Sequence, residues 1–195
     1  MPKLGMEPIR RDALIKAAIA EIGATGALEV TVSRIARRAG MSSALAHHYF
    51  GSKEQMFLAA MRHILAVYGA EMRGALAMAN GPEQRLQALI RVSFSGSNFR
   101  RDAVSAWLNF YVMAQRNTQA ARLLRIYQQR LRSNLRHALR PLAGDGAAAD
   151  LAEGAAAMID GVYLREALGP GEPNGDRAEQ QVTGWLQAAL DKRAR

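Results

Sequence analysis

The 195-residue chain carries 26 lysines and arginines against 17 aspartates and glutamates, a net charge of +9, and has no cysteine. Disulfides and thiolate chemistry are therefore excluded, and the positive excess points to a polyanionic partner. The absence of any apolar run near 20 residues argues against a membrane span, and the N-terminus MPKLGMEPIRRD lacks a signal-type apolar core, so a cytoplasmic protein with no membrane partner is expected.

Nearly half the residues are apolar and only 6% are aromatic. Alanine, leucine and arginine are abundant, all good helix formers, and nothing alternates over strand length. The pattern predicts an all-α protein of about nine helices. The four histidines form no metal-ligand spacing: only His47 and His48 are close, and neighbours on a helix diverge by about 100°. No metal, cofactor or catalytic acid/base pair is expected, so an enzyme is disfavoured.

The first helix is expected from about Ile9 to Gly23, with Pro8 at its start and Leu14, Ile15, Ala18 and Ile22 on one face, stopped by Gly23 and Gly26. Thr31 caps a short helix to about Ala39, with Val32, Ile35, Ala36 and Ala39 inward. Gly40 ends it. Ser42 or Ser43 caps a third helix ending near Tyr49 and Phe50. Ser52, completed by Gln55 in a capping box, starts a long helix to about Met78. Further helices are predicted from Pro82, from Arg100 to Gln115, from Thr118 to Leu139, from Ala147 to Leu168 and from Asp176 to Lys192. A loop is expected over 141–146.

Charge is unevenly spread. Residues 1–55 carry +3, 56–90 carry +1, 91–140 carry +9 and 141–195 carry −4. The arginines at 116, 122, 125, 130, 132, 136 and 140 fit a solvated face, a face turned to Asp150, Glu153 and Glu166, or a second nucleic-acid patch.

The most informative text is TVSRIARRAGMSSALAHHYFGSK, 31–53. Two short helices joined through a glycine turn read as a helix-turn-helix, although periodicity alone also fits a plain hairpin in a bundle. The small residues Ser43, Ala44 and Ala46 would let the backbone approach base edges. His47, Tyr49 and Lys53 would donate to phosphates, as would Thr31 from the neighbouring helix, with Ser42 at the cap.

Thr31, Ile35-Ala36, Ala39-Gly40, Ser42, Tyr49-Phe50 and Ser52-Lys53 stand at the spacing of the TetR family of repressors, which this string resembles. The resemblance implies a DNA-binding domain over 1–52, with Ile35 and Phe50 in its core and Ser43 to Tyr49 as recognition helix. It implies a ligand-sensing and dimerisation domain over 53–195, whose last two long helices make a four-helix interface through small residues such as Ala156. The partner would be double-stranded operator DNA, an inverted repeat read by a homodimer. Members often carry an aromatic where this chain has His47, and leucine where it has Ala46.

In the body, Trp107, Phe110 and Tyr111 stand at i, i+3 and i+4 and share a helix face. Asp160 and Tyr163 stand at i and i+3 among Ala156, Ala157, Ile159 and Val162. Aromatic faces with a carboxylate suit a quaternary ammonium. Equally, the stripe fits core packing, and Asp160 fits a pairing with an arginine such as Arg130. PKLGMEPIRR, HHYFGSK, AWLNFY (106–111) and IDGVYLR (159–165) are similar to the choline-responsive repressors within that family. This implies choline as the small-molecule inducer and control of glycine betaine synthesis genes. Other readings are a repressor for a different apolar or cationic ligand, and a helix-turn-helix protein with no ligand.

Overall fold

A computed structural model describes residues 5–25 and 30–194, and among these it contains nine α-helices and no strand. They are α1 (Met6–Thr25), α2 (Val32–Arg38), α3 (Ser43–Phe50), α4 (Lys53–Met78), α5 (Gly81–Ser93), α6 (Arg101–Ala114), α7 (Thr118–Ala143), α8 (Asp145–Leu168) and α9 (Gly175–Ala194). The all-α expectation holds.

The starts of α2, α3 and α4 follow from capping chemistry. Thr31, Ser42 and Ser52 each sit in extended backbone and accept a hydrogen bond from the amide three residues on, at Arg34, Leu45 and Gln55. The capping box at Ser52 is only half made. The Ser52 amide goes to the Phe50 carbonyl at 2.9 Å, which leaves Gln55 no amide to reach back for.

α1 buries Leu14, Ala17, Ala18, Ile19 and Ile22. Glu21, on the same helix, is 6% exposed. Its carboxylate takes a 2.6 Å bond from Arg38 Nε and pairs with Arg34 Nε at 3.2 Å, so it clamps α2 to α1. The Arg38 hydrogen bond, opposed by burial, holds the Glu21 carboxyl below its ordinary range. Arg11 ties in α3 by donating to the Tyr49 carbonyl at 2.7 Å, with its guanidinium 4.7 Å from the Phe50 ring centre.

Gly23 does not stop α1, which continues to Thr25; Gly26 lies outside the described residues. A Cβ at Gly23 would run into Cα and Cβ of Asp102 at the start of α6. The glycine is there for close approach, a role local pattern does not reveal. α1 thereby rests directly on the helix that carries Trp107.

α7 also exceeds its expected length. It runs through Pro141 to Ala143, and the loop shrinks to Gly144 at φ +76°. Proline in a last turn removes one helical bond only. Leu139 is fully buried and Leu142 packs on the core, so tertiary packing holds that turn. α7 and α8 then form a tight antiparallel hairpin, with α5 and α6 packed on α7 and α9 on α8.

The α7 arginines divide. Arg132 pairs with Glu153 at 3.0 Å and Arg140 with Asp145 at 2.5 Å. Glu166 turns instead to Arg177 on α9, and Asp150 is exposed without an ion pair. Arg122, Arg125, Arg130 and Arg136 are exposed without ion pairs among the described residues.

Candidate nucleic-acid interface and ligand cage

α2 and α3 hang from α1 and leave one face of α3 open. Ser42, Ala44 and His47 are exposed, Ser43, Tyr49 and Lys53 are half-buried, and Thr31 is exposed at the head of α2. These seven residues are accessible from outside. Ala46 is different: it is fully buried, packed in the core with Ile35 and Phe50, and has no access to a base edge. The expectation of a DNA-facing Ala46 is corrected, because the helix turn from Ala44 to Ala46 carries the latter to the core side.

Local bonds already occupy several of these groups. Ser43 Oγ donates to Ser33 Oγ at 3.1 Å, and His47 Nδ1 lies 3.0 Å from the Gly51 carbonyl, leaving its Nε2 outward. The Lys53 ammonium sits 5.5 Å from the Phe57 ring centre, a loose hold that a phosphate would replace. Thr31 and Ser42 use only acceptor lone pairs in capping, so each hydroxyl proton remains available.

The second site lies inside the body. Asp160 on α8 accepts a 3.0 Å hydrogen bond from the Tyr111 hydroxyl on α6. Trp107 stands beside it, with ring centres 4.6 Å from Tyr127 and 5.9 Å from both Tyr111 and Phe110. Tyr68 meets Tyr127 edge-on at 5.8 Å. Burial pushes the Asp160 carboxyl up, relieved in part by the Tyr111 and Tyr127 hydroxyls. Burial likewise raises the four surrounding phenols, Tyr68 to about 12, and the Asp160 charge adds to each rise.

No lysine or arginine pairs with Asp160 among the described residues, so the Arg130 alternative is not realised. The half-buried carboxylate stands beside aromatic rings and has no counter-cation among the described residues. Phe110 is fully buried behind Trp107 and backs the cage. Tyr163 has its ring centre 6.4 Å from Trp107, but its hydroxyl faces the Ser93 and Asn98 carbonyls, 3.0 Å from the latter. That hydroxyl anchors the α5–α6 connection. Asn98 in turn donates to Glu71 on α4 at 2.6 Å.

Sequence reasoning missed Tyr68 and Tyr127. They lie on α4 and α7, far from the AWLNFY text, and neither stands in an aromatic stripe. A usable signal existed: of five tyrosines, all but Tyr49 join the ring cluster around Trp107, where the Tyr111 and Tyr127 hydroxyls reach Asp160.

The face made by α8 and α9 exposes Leu164, Leu168 and Trp185. A Cβ at Gly154 would approach the Trp185 indole to 2.7 Å, so the glycine seats that ring. Ala156, expected at a subunit interface, is buried inside the protomer; Ala157, one residue on, is exposed.

A helix-turn-helix of three helices at the head of a larger helical body defines a helix-turn-helix transcriptional regulator. Residues 14–60 match the bacterial regulatory proteins of the tetR family, and residues 82–191 match the C-terminal domain of BetI-type transcriptional repressors. The HTH-type transcriptional regulator BetI of Brucella suis biovar 1 is 50% identical over 190 residues, covering 97% of this chain and 96% of the relative. The regulator of the same name from Agrobacterium fabrum is 52% identical over 168 residues, 86% and 82% of the two chains. Among solved structures, a transcriptional regulator from Saccharomonospora viridis in complex with choline superposes with a TM-score of 0.78. It is 22% identical and covers 91% of this chain and 95% of that one. A transcriptional regulator from Pseudomonas aeruginosa PAO1 gives 0.76 at 27% identity, covering 97% and 93%. The chain belongs to the TetR family and is a transcriptional repressor with a BetI-type C-terminal domain, not an enzyme.

Proposed function

We propose that this repressor binds an inverted-repeat operator as a homodimer and is released by choline, so that it controls genes converting choline to glycine betaine. The division of labour follows the chain: 1–52 reads DNA and 53–195 senses the ligand and dimerises. The chain then works in the cytoplasm, at the nucleoid when bound. Carrying the reading is one observation, the half-buried Asp160 carboxylate without a counter-cation among the described residues, beside a cage of Trp107, Tyr111, Tyr127 and Tyr68.

A trimethylammonium cannot donate conventional hydrogen bonds. Its affinity comes from aromatic faces, about 0.5–2 kcal/mol each, and from a nearby negative charge. The cage offers both, and a distant fold relative was solved with choline bound. Choline must bind the DNA-released arrangement more tightly than the DNA-bound one, since equal binding shifts nothing. The exposed Leu164, Leu168 and Trp185 support a dimer face on α8 and α9.

Calorimetry on the wild type and on Asp160→Asn tests the assignment. Asparagine keeps the shape and removes the charge, and choline affinity is expected to fall at least tenfold, about 1.4 kcal/mol. In gel shifts the variant keeps operator binding and needs more choline for release. Wild-type protein that takes up no choline overturns the ligand. Equal affinity in the variant overturns the role of Asp160.

A further inference from the structure

We infer that the groove between α4 and α7 is a second ligand site, for a medium-chain carboxylate. Its occupant follows from the shape and charge of the groove. The cavity there is about 700 Å³ and is lined chiefly by apolar side chains, with Leu65, Leu123 and Ile126 on its walls. Gly69 forms part of its floor, where a side chain would close it; only the end of the Arg73 side chain, 3.3 Å away, comes near a Cβ built there.

Three arginines line the same cavity, Arg62, Arg73 and Arg130, and no aspartate or glutamate does. Arg62 donates to Gln119 at 3.2 Å, while Arg73 and Arg130 have no ion pair among the described residues. The Arg62–Gln119 bond and the Tyr68–Tyr127 ring contact set α4 and α7 side by side in the same direction. Arg73 and Arg130, one from each helix, are exposed and line the same cavity. Two guanidinium groups on an apolar trough with no acid among its lining residues favour an anion between them. Glu71, the nearest acid on α4, is engaged on the other side by Ser95, Ser97 and Asn98.

The head of an amphipathic anion fits between Arg73 and Arg130, and its tail lies along α4 towards Arg62. Eleven residues of helix separate the two α4 arginines, about 16 Å at 1.5 Å per residue, room for an extended chain of roughly ten to twelve carbons. A bulky dianion would meet the same arginines but leave the apolar walls uncovered. The groove is distinct from the cation cage: the Tyr68 and Tyr127 side chains line the groove and also belong to the cage, standing as a shared wall.

Calorimetry with decanoate, and with 1-decanol as its uncharged counterpart, tests the inference on the full chain. Wild type is expected to bind decanoate saturably and decanol at least tenfold more weakly. The double variant Arg73→Gln, Arg130→Gln is expected to lose that preference, with decanoate falling at least tenfold. Gly69→Leu fills the trough and should abolish decanoate binding while choline affinity stays as in wild type, which also shows that this variant is folded. Decanoate bound equally by wild type and both variants overturns the site, as does no decanoate binding by wild type. Decanol bound as tightly as decanoate overturns the role of the arginines. Decanoate binding without choline binding would break the choline reading and leave this one standing.

Discussion

The helix-turn-helix unit and the larger helical body are built on opposite terms. In the first, α2 and α3, and the junction into α4, start at a side chain that caps the amide three residues on, at Thr31, Ser42 and Ser52. Its one buried charge, Glu21, meets two arginines from the next helix. In the body, the half-buried charge Asp160 meets only tyrosine hydroxyls drawn from other helices. A carboxylate satisfied by its own chain is a structural clamp. A carboxylate left short of a cation is a place where something else completes the set. The contrast between Glu21 and Asp160 teaches how to tell the two apart: count the cations, not the burial.

The largest effect is expected where the two regions touch. Gly23→Leu drives a side chain into the backbone of Asp102 at the head of α6. Overpacking of this kind destabilises by about 1–3 kcal/mol or more. Thermal unfolding should show the loss, and operator binding should suffer even below the melting temperature because α1 is displaced. A Gly23→Leu protein with unchanged melting and operator affinity would show that α1 and α6 are not held together in solution.

Next in size is the clamp. Glu21→Gln removes the charge that holds Arg34 and Arg38. Both arginines are more than a third exposed, so solvent reduces the loss to about 1–2 kcal/mol. The folded-state pKa of Glu21 lies below its ordinary value of 4.5. Its contribution is therefore fully present above that value and disappears as pH falls through the lower, folded one. Denaturant midpoints measured from neutrality to mild acid should fall more steeply in wild type than in Glu21→Gln.

The same contrast explains what was legible in advance. Caps, glycine turns and the helix-turn-helix spacing are local, and 31–53 declares them within a few residues of each other. Trp107 and Tyr111 were legible because they share a helix face. Tyr68 and Tyr127 were not, since only the packing of α4 and α7 on α6 brings them to Asp160. Ala46 was misread because the same smallness that suits a base edge suits a packed helix crossing. Pro141 and Gly23 were read as breaks by local rules, and packing overrode both. Net charge was no guide to the DNA segment: most of the +9 stretch decorates α7, well away in sequence from α3.

A smaller effect, of opposite sign to that at Glu21, is expected at Asp160. Burial raises its carboxyl above the ordinary 3.8. A raised carboxyl favours the folded state when protonated and loses that advantage as pH rises through the folded pKa. At neutral pH the charged Asp160 is therefore a burden on the ligand-free protein. Asp160→Asn should raise the melting temperature of ligand-free protein by a few degrees at most, while weakening choline. Glu21→Gln and Asp160→Asn should thus move stability in opposite directions. A drop in stability for Asp160→Asn would place the aspartate with the clamps and remove the basis of the comparison.

The smallest expected effect separates charge that touches DNA from charge that does not. Lys53 opens α4 beside the recognition helix, and its ammonium is held only by the Phe57 ring. Arg136 on α7 carries the same charge and is exposed without an ion pair. If affinity for operator followed net charge alone, removing either would act alike. Counterion release makes a sharper demand: only a side chain that neutralises a phosphate contributes to the slope of log affinity against log salt, about 0.9 per contact. Lys53→Ala should therefore flatten that slope by roughly 1.8 in a dimer, one contact per protomer, and weaken all sequences nearly alike. Arg136→Ala should leave the slope unchanged and reduce affinity only through the long-range field, an effect screened within about 8 Å at physiological salt. Gel shifts over a salt series read both numbers. Equal flattening by the two variants would put α7 on the DNA, and the arginine-rich stretch would then be a second nucleic-acid surface after all.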